Sequence, residues 1–453
     1  MPADSTCFRP RCLSRIAGVT EQDILDRGIE LIAISFVDNA GLTRAKSITA
    51  AKAQAAATRG VGSPHAFSIF QGDDGMSTAT GFEAVGDTRL VPDLDRLAGG
   101  LEGWGWAPGD LYDQDGEPWD FCTRSFLKRQ TARLAEAGFE MKMSYEHEWY
   151  AETSLGKPAH STPAYSLSST AEAAAYMREV AMRLAAFGVT VDQIHPEYSH
   201  GQMEVSVAAA DPVAAADNCV ATRHAIRTAW PVTGIRPSFA PVSRADGLGN
   251  GCHLHVSLWR DGKNLMGSDP QRELGLTSEG NSFMAGVLRE YRALASLGCA
   301  CPLSYRRLAP NRWTGAYVCW GVENRETPFR FIRAGKPTRP DGVNAEVKVL
   351  DSSANPYLMA GAVIAAGLAG LADGIELPDP VQIEPSRVAD QLGLELLPEN
   401  LLEAADALEA SRLLRGALGE RLHDAIVAVR RGEAASAAQL NEDALLEAYR
   451  WRY

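Results

Sequence analysis

Four stretches of the chain alternate polar and apolar side chains with a period of two, and their polar positions carry unusual chemistry. In Met141-Lys142-Met143-Ser144-Tyr145-Glu146-His147-Glu148-Trp149, Glu146 and Glu148 oppose Met141, Met143 and Tyr145. Glu204 and Ser206 oppose Met203, Val205 and Val207, while His253, His255 and Ser257 oppose Leu254, Val256 and Leu258. Glu346 and Lys348 oppose Val347 and Val349. Alternation of this kind puts each polar set on one face of a β-strand. A face that simply meets water is the ordinary outcome for such strands. Here, however, lysine, glutamine and threonine are sparse and glutamate and histidine are concentrated. Glu197, in His195-Pro196-Glu197-Tyr198, adds a carboxylate seven residues before Glu204. If the faces converge, Glu146, Glu148, Glu197, Glu204 and Glu346 crowd five negative charges together. That cluster repels itself unless divalent cations neutralise it, and oxygen ligands with an imidazole suit Mg2+ or Mn2+.

A cationic complement lies between the third and fourth stretches. Arg306, Arg307, Arg325, Arg330, Arg333, Lys336 and Arg339 fall in a span rich in glycine and proline. Guanidinium forks suit phosphate and carboxylate, and acidic metal ligands beside arginines are what phosphoryl transfer requires. Gly247-Leu248-Gly249-Asn250-Gly251 is followed by a strand pattern, not a helix, which argues against a dinucleotide loop, and no Walker A sequence occurs. His65, His147, His160, His200, His224 and His423 are read as structural.

The elements that must position these groups leave clear marks. Leu31 to Gly41 reads as a strand closed by a hairpin turn at Asn39 and Gly41. A loop, Gln71-Gly72-Asp73-Asp74-Gly75, follows, and the glycine- and proline-rich stretch Gly99 to Trp119 predicts short strands and turns. Composition shifts near Asp120, so residues 15–120 are expected to form one domain and 121–453 a second. A helix is predicted over Ser125–Ala137, ended by Gly138. Tyr357 to Ala372 is apolar but broken by glycines, as in a buried helix. Near the C-terminus Asn400 and Glu403 form a cap for an amphipathic helix in which Leu414, Leu418, Leu422 and Ile426 recur every four residues.

Composition narrows the function classes. The 453 residues are 45% apolar and 22% charged, an ordinary globular balance. With 57 acidic and 44 basic residues the formal charge is −13, which repels polyanions and argues against nucleic acid as a partner. No apolar run is long enough to cross a bilayer, and Arg9, Arg11 and Arg15 lack the apolar core of a signal peptide. Eight cysteines without a CxxC pair suggest reduced thiols, so a cytoplasmic protein is expected.

Assembled, the motifs resemble the glutamine synthetase family from about Ile29 onward. The carriers are Ser144 to Trp149, His195-Pro196-Glu197 with Gly201 to Glu204, and Gly251-Cys252-His253-Leu254-His255-Val256-Ser257-Leu258-Trp259. Ser304-Tyr305-Arg306-Arg307-Leu308, Glu323-Asn324-Arg325 and Ala354-Asn355-Pro356-Tyr357 complete them. The resemblance implies an α+β fold, with an N-terminal β-grasp domain and a C-terminal catalytic domain built on a curved antiparallel sheet. It also implies a homo-oligomer of hexameric rings, single or stacked as a dodecamer, with shared active sites. By position, Glu148, Glu197 and Glu204 would hold one divalent ion, and Glu146, His253 and Glu346 the other. His255 and Ser257 would contact ATP, Arg325 and Arg330 would grip phosphates, and Arg307 would take the α-carboxylate of glutamate. The Gly249 backbone falls at the amino-acid subsite, and Asp73 or Asp74 of a neighbouring copy would sit beside the amine.

Four departures qualify the resemblance. Trp313 stands where ammonia-using members carry a flap glutamate. Lys348 replaces an arginine, and Leu248 an asparagine. No tyrosine occurs between Tyr357 and Tyr449, where many bacterial members are adenylylated. The segment from Trp313 to Glu326 is similar to the branch that makes γ-glutamyl amides of organic amines. The expected activity is an ATP-dependent ligase joining glutamate to an amine through γ-glutamyl phosphate. Ammonia-using glutamine synthetase and a non-catalytic structural relative are the alternatives.

Overall fold

The computed structural model describes residues 19–78, 86–245, 247–333 and 340–453. Arg9, Arg11, Arg15, Cys7, Cys12, Lys336 and Arg339 lie outside the described residues.

The N-terminal sheet contains β1 (Leu31–Val37), β2 (Thr43–Thr49), β3 (Val61–Pro64), β4 (Asp87–Pro92), β5 (Ala98–Leu101) and β6 (Trp104–Tyr112). Its order is β2-β1-β6-β4-β3, with β5 also on β6. β1 and β6 run parallel at the centre and the other pairs are antiparallel. The helix Ala53–Arg59 covers one face, where Ala53 and Ala56 meet Ile32, Ile34, Leu90 and Leu111, a β-grasp arrangement. The hairpin falls where Gly41 (φ +83°) permits it, and a Cβ there would collide with the Ser353 carbonyl.

One expectation is corrected here. The stretch from Gly99 to Trp119 does hold a short strand, Ala98–Leu101, and turns, but Trp104–Tyr112 within it is a continuous nine-residue strand at the centre of the sheet. Its glycines serve packing: a Cβ on Gly105 would lie 2.8 Å from Ile29 Cγ2, and one on Gly109 2.5 Å from Leu90 Cδ1. The Pro108 carbonyl still accepts a hydrogen bond from the Asp93 N–H at 2.8 Å.

The second sheet holds β7 (Glu140–Thr153), β8 (Val191–Pro196), β9 (Gln202–Val207), β10 (Ile235–Ser238), β11 (Cys252–Arg260), β12 (Lys263–Asn264), β13 (Trp320–Val322), β14 (Phe329–Ile332) and β15 (Asn344–Val347). Its main path is β13-β14-β15-β11-β7-β9-β8, antiparallel except for β13–β14. The alternation read from sequence is obeyed. Met141, Met143, Tyr145, Val205, Leu254 and Val256 are buried against helices, including Leu167–Ala186, Pro212–Thr228 and Pro356–Asp373, and the glutamates point to the other face. Removal of that apolar surface from water is what holds the sheet to its helical layer.

Helix Pro356–Asp373 is buried, as its apolar run suggests. Asn355 caps it by accepting from the N–H groups of Tyr357 (3.0 Å) and Leu358 (3.2 Å), and its Nδ2 donates to the Val37 carbonyl at 3.0 Å. The N-terminal sheet is also tied to the helical layer of the second sheet through Arg124, on the helix Thr123–Glu136. Its guanidinium donates to Asp93 (2.8 Å), Asp110 (3.0 Å) and Asp217 (2.9 Å).

The helix predicted over Ser125–Ala137 spans Thr123–Glu136, followed by Gly138 at φ +79°. The C-terminal leucine ladder, by contrast, spans two helices. Leu414 and Leu418 lie in Arg412–Leu418, and Leu422 and Ile426 in Glu420–Ala437, separated by Gly419 at φ +84°. The capping pair is present on the preceding helix, Leu401–Ala410, where Asn400 Oδ1 accepts from Glu403 N at 3.0 Å.

Candidate active site

Strand register brings the predicted ligands together. Opposite one another lie His253 and Glu146, Glu148 and Glu204, His255 and Glu346, and Arg330 and Glu346. Because side chains alternate, all of these face one side of the sheet. They line a cavity of about 820 Å3, within the usual range for small-molecule sites.

At one pole, His253 Nδ1 lies 3.2 Å from Glu146 Oε1 and 3.1 Å from Glu346 Oε1. His255 joins them: ligand atoms of Glu146, His255 and Glu346 lie within 4.8 Å of one another. A second group, His195, Glu197 and Glu204, meets the same distance criterion, with His195 Nε2 3.3 Å from Glu204 Oε1. Glu148 lies between the poles, with Oε1 3.8 Å from His253 Nε2.

The electrostatics show what this arrangement costs. Burial and the charges of Glu146, Glu148 and Glu197 push the Glu204 carboxyl up to about 11. Burial and Glu197 also raise Glu148. Burial opposes ionisation of Glu346, but the hydrogen bond from His253 and the charge of Lys348 hold it well below the ordinary value. Burial likewise works against a charged His253, yet its bonds to Glu146 and Glu346 lift it to about 9. Nε2 of His253 and of His255 are buried without a hydrogen-bond partner among the described residues. Crowded carboxylates with free imidazole nitrogens fit a divalent cation by donor chemistry.

At the other pole Arg307 is buried. Its Nη1 donates to Asp351 Oδ2 at 3.3 Å, while Nε and Nη2 have no partner among the described residues. Gly249 packs so closely that a Cβ would lie 2.1 Å from Arg307 Cγ. Its carbonyl accepts from Gln202 Nε2 at 3.1 Å, and the same nitrogen donates to Glu148 Oε2 at 2.7 Å. Leu248 also lines the cavity.

Arg325 and Arg330 stand on the cavity wall, Arg330 donating to Glu346 (3.2 Å) and Glu323 (2.9 Å). Ser257 lines a neighbouring cavity of about 420 Å3, which shares Glu146 and His255 with the first, and its Oγ accepts from Trp259 Nε1 at 2.8 Å. Trp313 is half-exposed at φ +58° and sits edge-on to Tyr198, with ring centroids 5.7 Å apart. Its main-chain N–H donates to Glu326 Oε1 at 3.1 Å. Lys348 is buried and donates to the carbonyls of Trp313 and Arg325, the latter at 2.6 Å. The ammonium thus ties two cavity-wall segments together.

Asp73 and Asp74 do not line the cavity of their own chain. Asp74, at φ +64°, pairs with Arg44 at 2.5 Å, and Asp73 Oδ1 accepts from the Gly75 N–H at 2.8 Å. The loop is anchored from the C-terminal side, where the Gly72 N–H donates to Glu433.

Sequence reading missed four residues of this site. Gln202 shares the face of Glu204 and Ser206, so its place was available from alternation. His195 needed the β8–β9 register, in which it faces Glu204. Tyr165, whose hydroxyl donates to Glu197, and Tyr198 lie outside the strands and carry no periodic signal.

Residues 120–449 match the family described as glutamine synthetase, catalytic domain. The chain belongs to the glutamine synthetase family. It is a ligase of that family, whose enzymes use ATP, divalent metals and small-molecule substrates. Gamma-glutamylpolyamine synthetase GlnA3 of Streptomyces coelicolor is 42% identical over 445 residues, 95% of each chain. Glutamine synthetase of Pyrococcus horikoshii is 28% identical, with 86% of each chain covered. Among solved structures, a novel glutamine synthase homolog superposes with a TM-score of 0.85 at 30% identity, covering 94% of this chain and 99% of the other. A GmaS/ADP complex gives a TM-score of 0.81 at 27% identity, covering 94% and 97%. The α+β fold expected from the motifs is the fold of these relatives.

Proposed function

We propose that this enzyme joins the γ-carboxylate of glutamate to an organic amine at the expense of ATP, and that the amine is a di- or polyamine. The observation that carries the reading is Trp313, edge-on to Tyr198 at the cavity wall, where ammonia-using members place a carboxylate. An indole cannot take a proton from ammonium. It does offer an apolar plate to an alkyl chain and a cation–π surface to a second ammonium group. Similarity over nearly the whole length to a protein named as a polyamine ligase supports the choice of amine.

A carboxylate is a poor acyl donor because its charge repels nucleophiles and oxide leaves badly. Arg307, through its free guanidinium nitrogens, holds the α-carboxylate, and the Gly249 backbone fixes the amino-acid end. The γ-carboxylate attacks the terminal phosphorus of ATP, ADP departs, and Arg325 and Arg330 hold the transferred phosphate. His255 and Ser257 line the nucleotide side. Glu148, Glu197 and Glu204 would hold one divalent cation and Glu146, His253 and Glu346 the other, Mg2+ or Mn2+, supplying charge neutralisation at the phosphates. The amine nitrogen then attacks the acyl carbon and phosphate leaves. Asp73 or Asp74 from an adjacent copy in a hexameric or dodecameric ring accepts the amine proton. The exposure of Asp74 and the absence of both from their own chain's cavity support that shared arrangement. Residues 15–120 and 121–453 are the two domains of each copy in this reading.

The test compares ammonia with methylamine, ethanolamine, isopropylamine, aniline, putrescine and spermidine, each with ATP and glutamate, by ADP release. Putrescine or spermidine is expected to give the highest kcat/KM. A wide lead for ammonia would overturn the amine reading, and no turnover with any acceptor would favour a structural role.

A further inference from the structure

A separate cavity, of about 240 Å3, lies where β1 and β2 meet the helix Pro212–Thr228, Ser352 and the C-terminal residues Arg452 and Tyr453. It shares no lining residue with the active-site cavity. Among the described residues, its walls carry three guanidinium groups, Arg223, Arg227 and Arg452, together with His224, and no aspartate or glutamate side chain.

The donors there are poorly satisfied. Arg223 is buried. Its Nη1 donates to the Ser352 carbonyl at 2.7 Å, but its Nε and Nη2 have no partner among the described residues. Arg452 Nη1 and Ser352 Oγ are also buried and unpartnered. Among the described residues, Arg227 reaches the Arg223 carbonyl, at 3.5 Å, and the face of Phe239, 4.9 Å from its centroid. Unpaired buried donors are costly, and like charges packed together compound the cost. Burial and the Arg223 charge push Arg227 down to about 9, and burial with Arg227 pushes His224 down to about 4. The Tyr453 main-chain oxygen is engaged by the Phe239 N–H at 3.0 Å.

We propose that this cavity binds a small, doubly charged anion of phosphate or dicarboxylate chemistry, held by Arg223, Arg227, Arg452 and the Ser352 hydroxyl. Guanidinium groups match the oxygens of such anions in fork geometry, and several converging on one space bind a dianion far better than a monovalent ion. At roughly 30 Å3 per water molecule, the 240 Å3 space holds about eight waters or one small anion.

The experiment is isothermal titration of inorganic phosphate, and separately of succinate, into the full-length enzyme kept saturated with a nonhydrolysable MgATP analogue and glutamate, so that the nucleotide, phosphate and amino-acid subsites of the active site are all occupied. Saturable binding of at least one probe, at one per chain, is expected, and the tighter probe identifies the anion class. Arg227→Gln and Arg452→Gln should each weaken it tenfold or more, and Arg330→Gln, on the active-site wall, should leave it within twofold. Arg223 is avoided as the test position because it also holds the Ser352 carbonyl. If Arg227→Gln fails to fold, Arg452→Gln decides alone. The proposal is overturned if neither probe binds saturably, which would mean that water alone satisfies the donors. It is also overturned if Arg330→Gln abolishes binding while Arg452→Gln does not.

Discussion

Replacement of Glu204 by glutamine should stabilise the metal-free protein while destroying its response to metal. Glu204 faces Glu148 across β7 and β9, and it is raised from 4.5 to about 11 by burial and by Glu146, Glu148 and Glu197. A carboxyl whose folded value is raised keeps its proton in the native state over a range where the unfolded chain has lost it. Stability therefore falls as pH rises above 4.5 and continues to fall towards 11. At pH 7.5 the interval already crossed is about 3 pH units, and at about 1.36 kcal/mol per unit the loss is on the order of 4 kcal/mol. Unfolding entropy near 2.1 cal/mol/K per residue makes this about 4 °C in Tm for a chain of 453 residues. The assay is thermal unfolding of the wild type and Glu204→Gln from pH 5 to 9, in EDTA and in excess Mg2+. In EDTA the wild-type Tm should decline with pH and the variant should lie above it, the gap widening to about 4 °C at pH 7.5. With Mg2+ the wild type should recover and the variant should gain little. A variant equal to or below wild type in EDTA across the whole range, with an unchanged Mg2+ response, would refute the view that these carboxylates repel one another until a cation binds.

Other residues give sharper readings of role. Glu346→Ala removes the carboxylate that His253 and Arg330 both bond, so ADP release should fall to background, and wild-type turnover would take Glu346 out of the mechanism. Trp313→Ala should lower kcat/KM for organic amines by up to about 30-fold, the equivalent of about 2 kcal/mol of aromatic contact, and leave ammonia little changed. An equal loss for every acceptor would assign Trp313 to loop structure alone. Lys348→Met removes two charged hydrogen bonds worth about 1.5–3 kcal/mol each. It should cut kcat/KM tenfold or more by releasing Trp313 and Arg325, and steady-state kinetics within twofold of wild type would show that the tether is dispensable.

What could be read from the chain follows from how far apart in sequence the cause and the effect lie. The acidic basin was legible because each of its strands is amphipathic, so a two-residue period alone tells which side Glu146, Glu148, Glu204, His253 and Glu346 share. The pairing partners were not legible. That His195 meets Glu204 depends on the register of the β8–β9 pair, which an irregularity between Val191 and Gln193 shifts, and that Lys348 spends its charge on the carbonyls of Trp313 and Arg325 depends on loops more than twenty residues away. Local rules misled where a residue had two possible uses. Gly105 and Gly109 signal turns by composition, but inside β6 they leave room for Ile29 and Leu90 to close the sheet. Gly419 fits a four-residue helical repeat by position, yet its positive φ ends one helix and begins another. The arginine cavity was hidden for the same reason. Arg223 and Arg227 lie four apart on a helix, the spacing of an ordinary solvated face, and only the packing of β1, β2 and the last residues over that face turns solvated charge into buried donors seeking an anion.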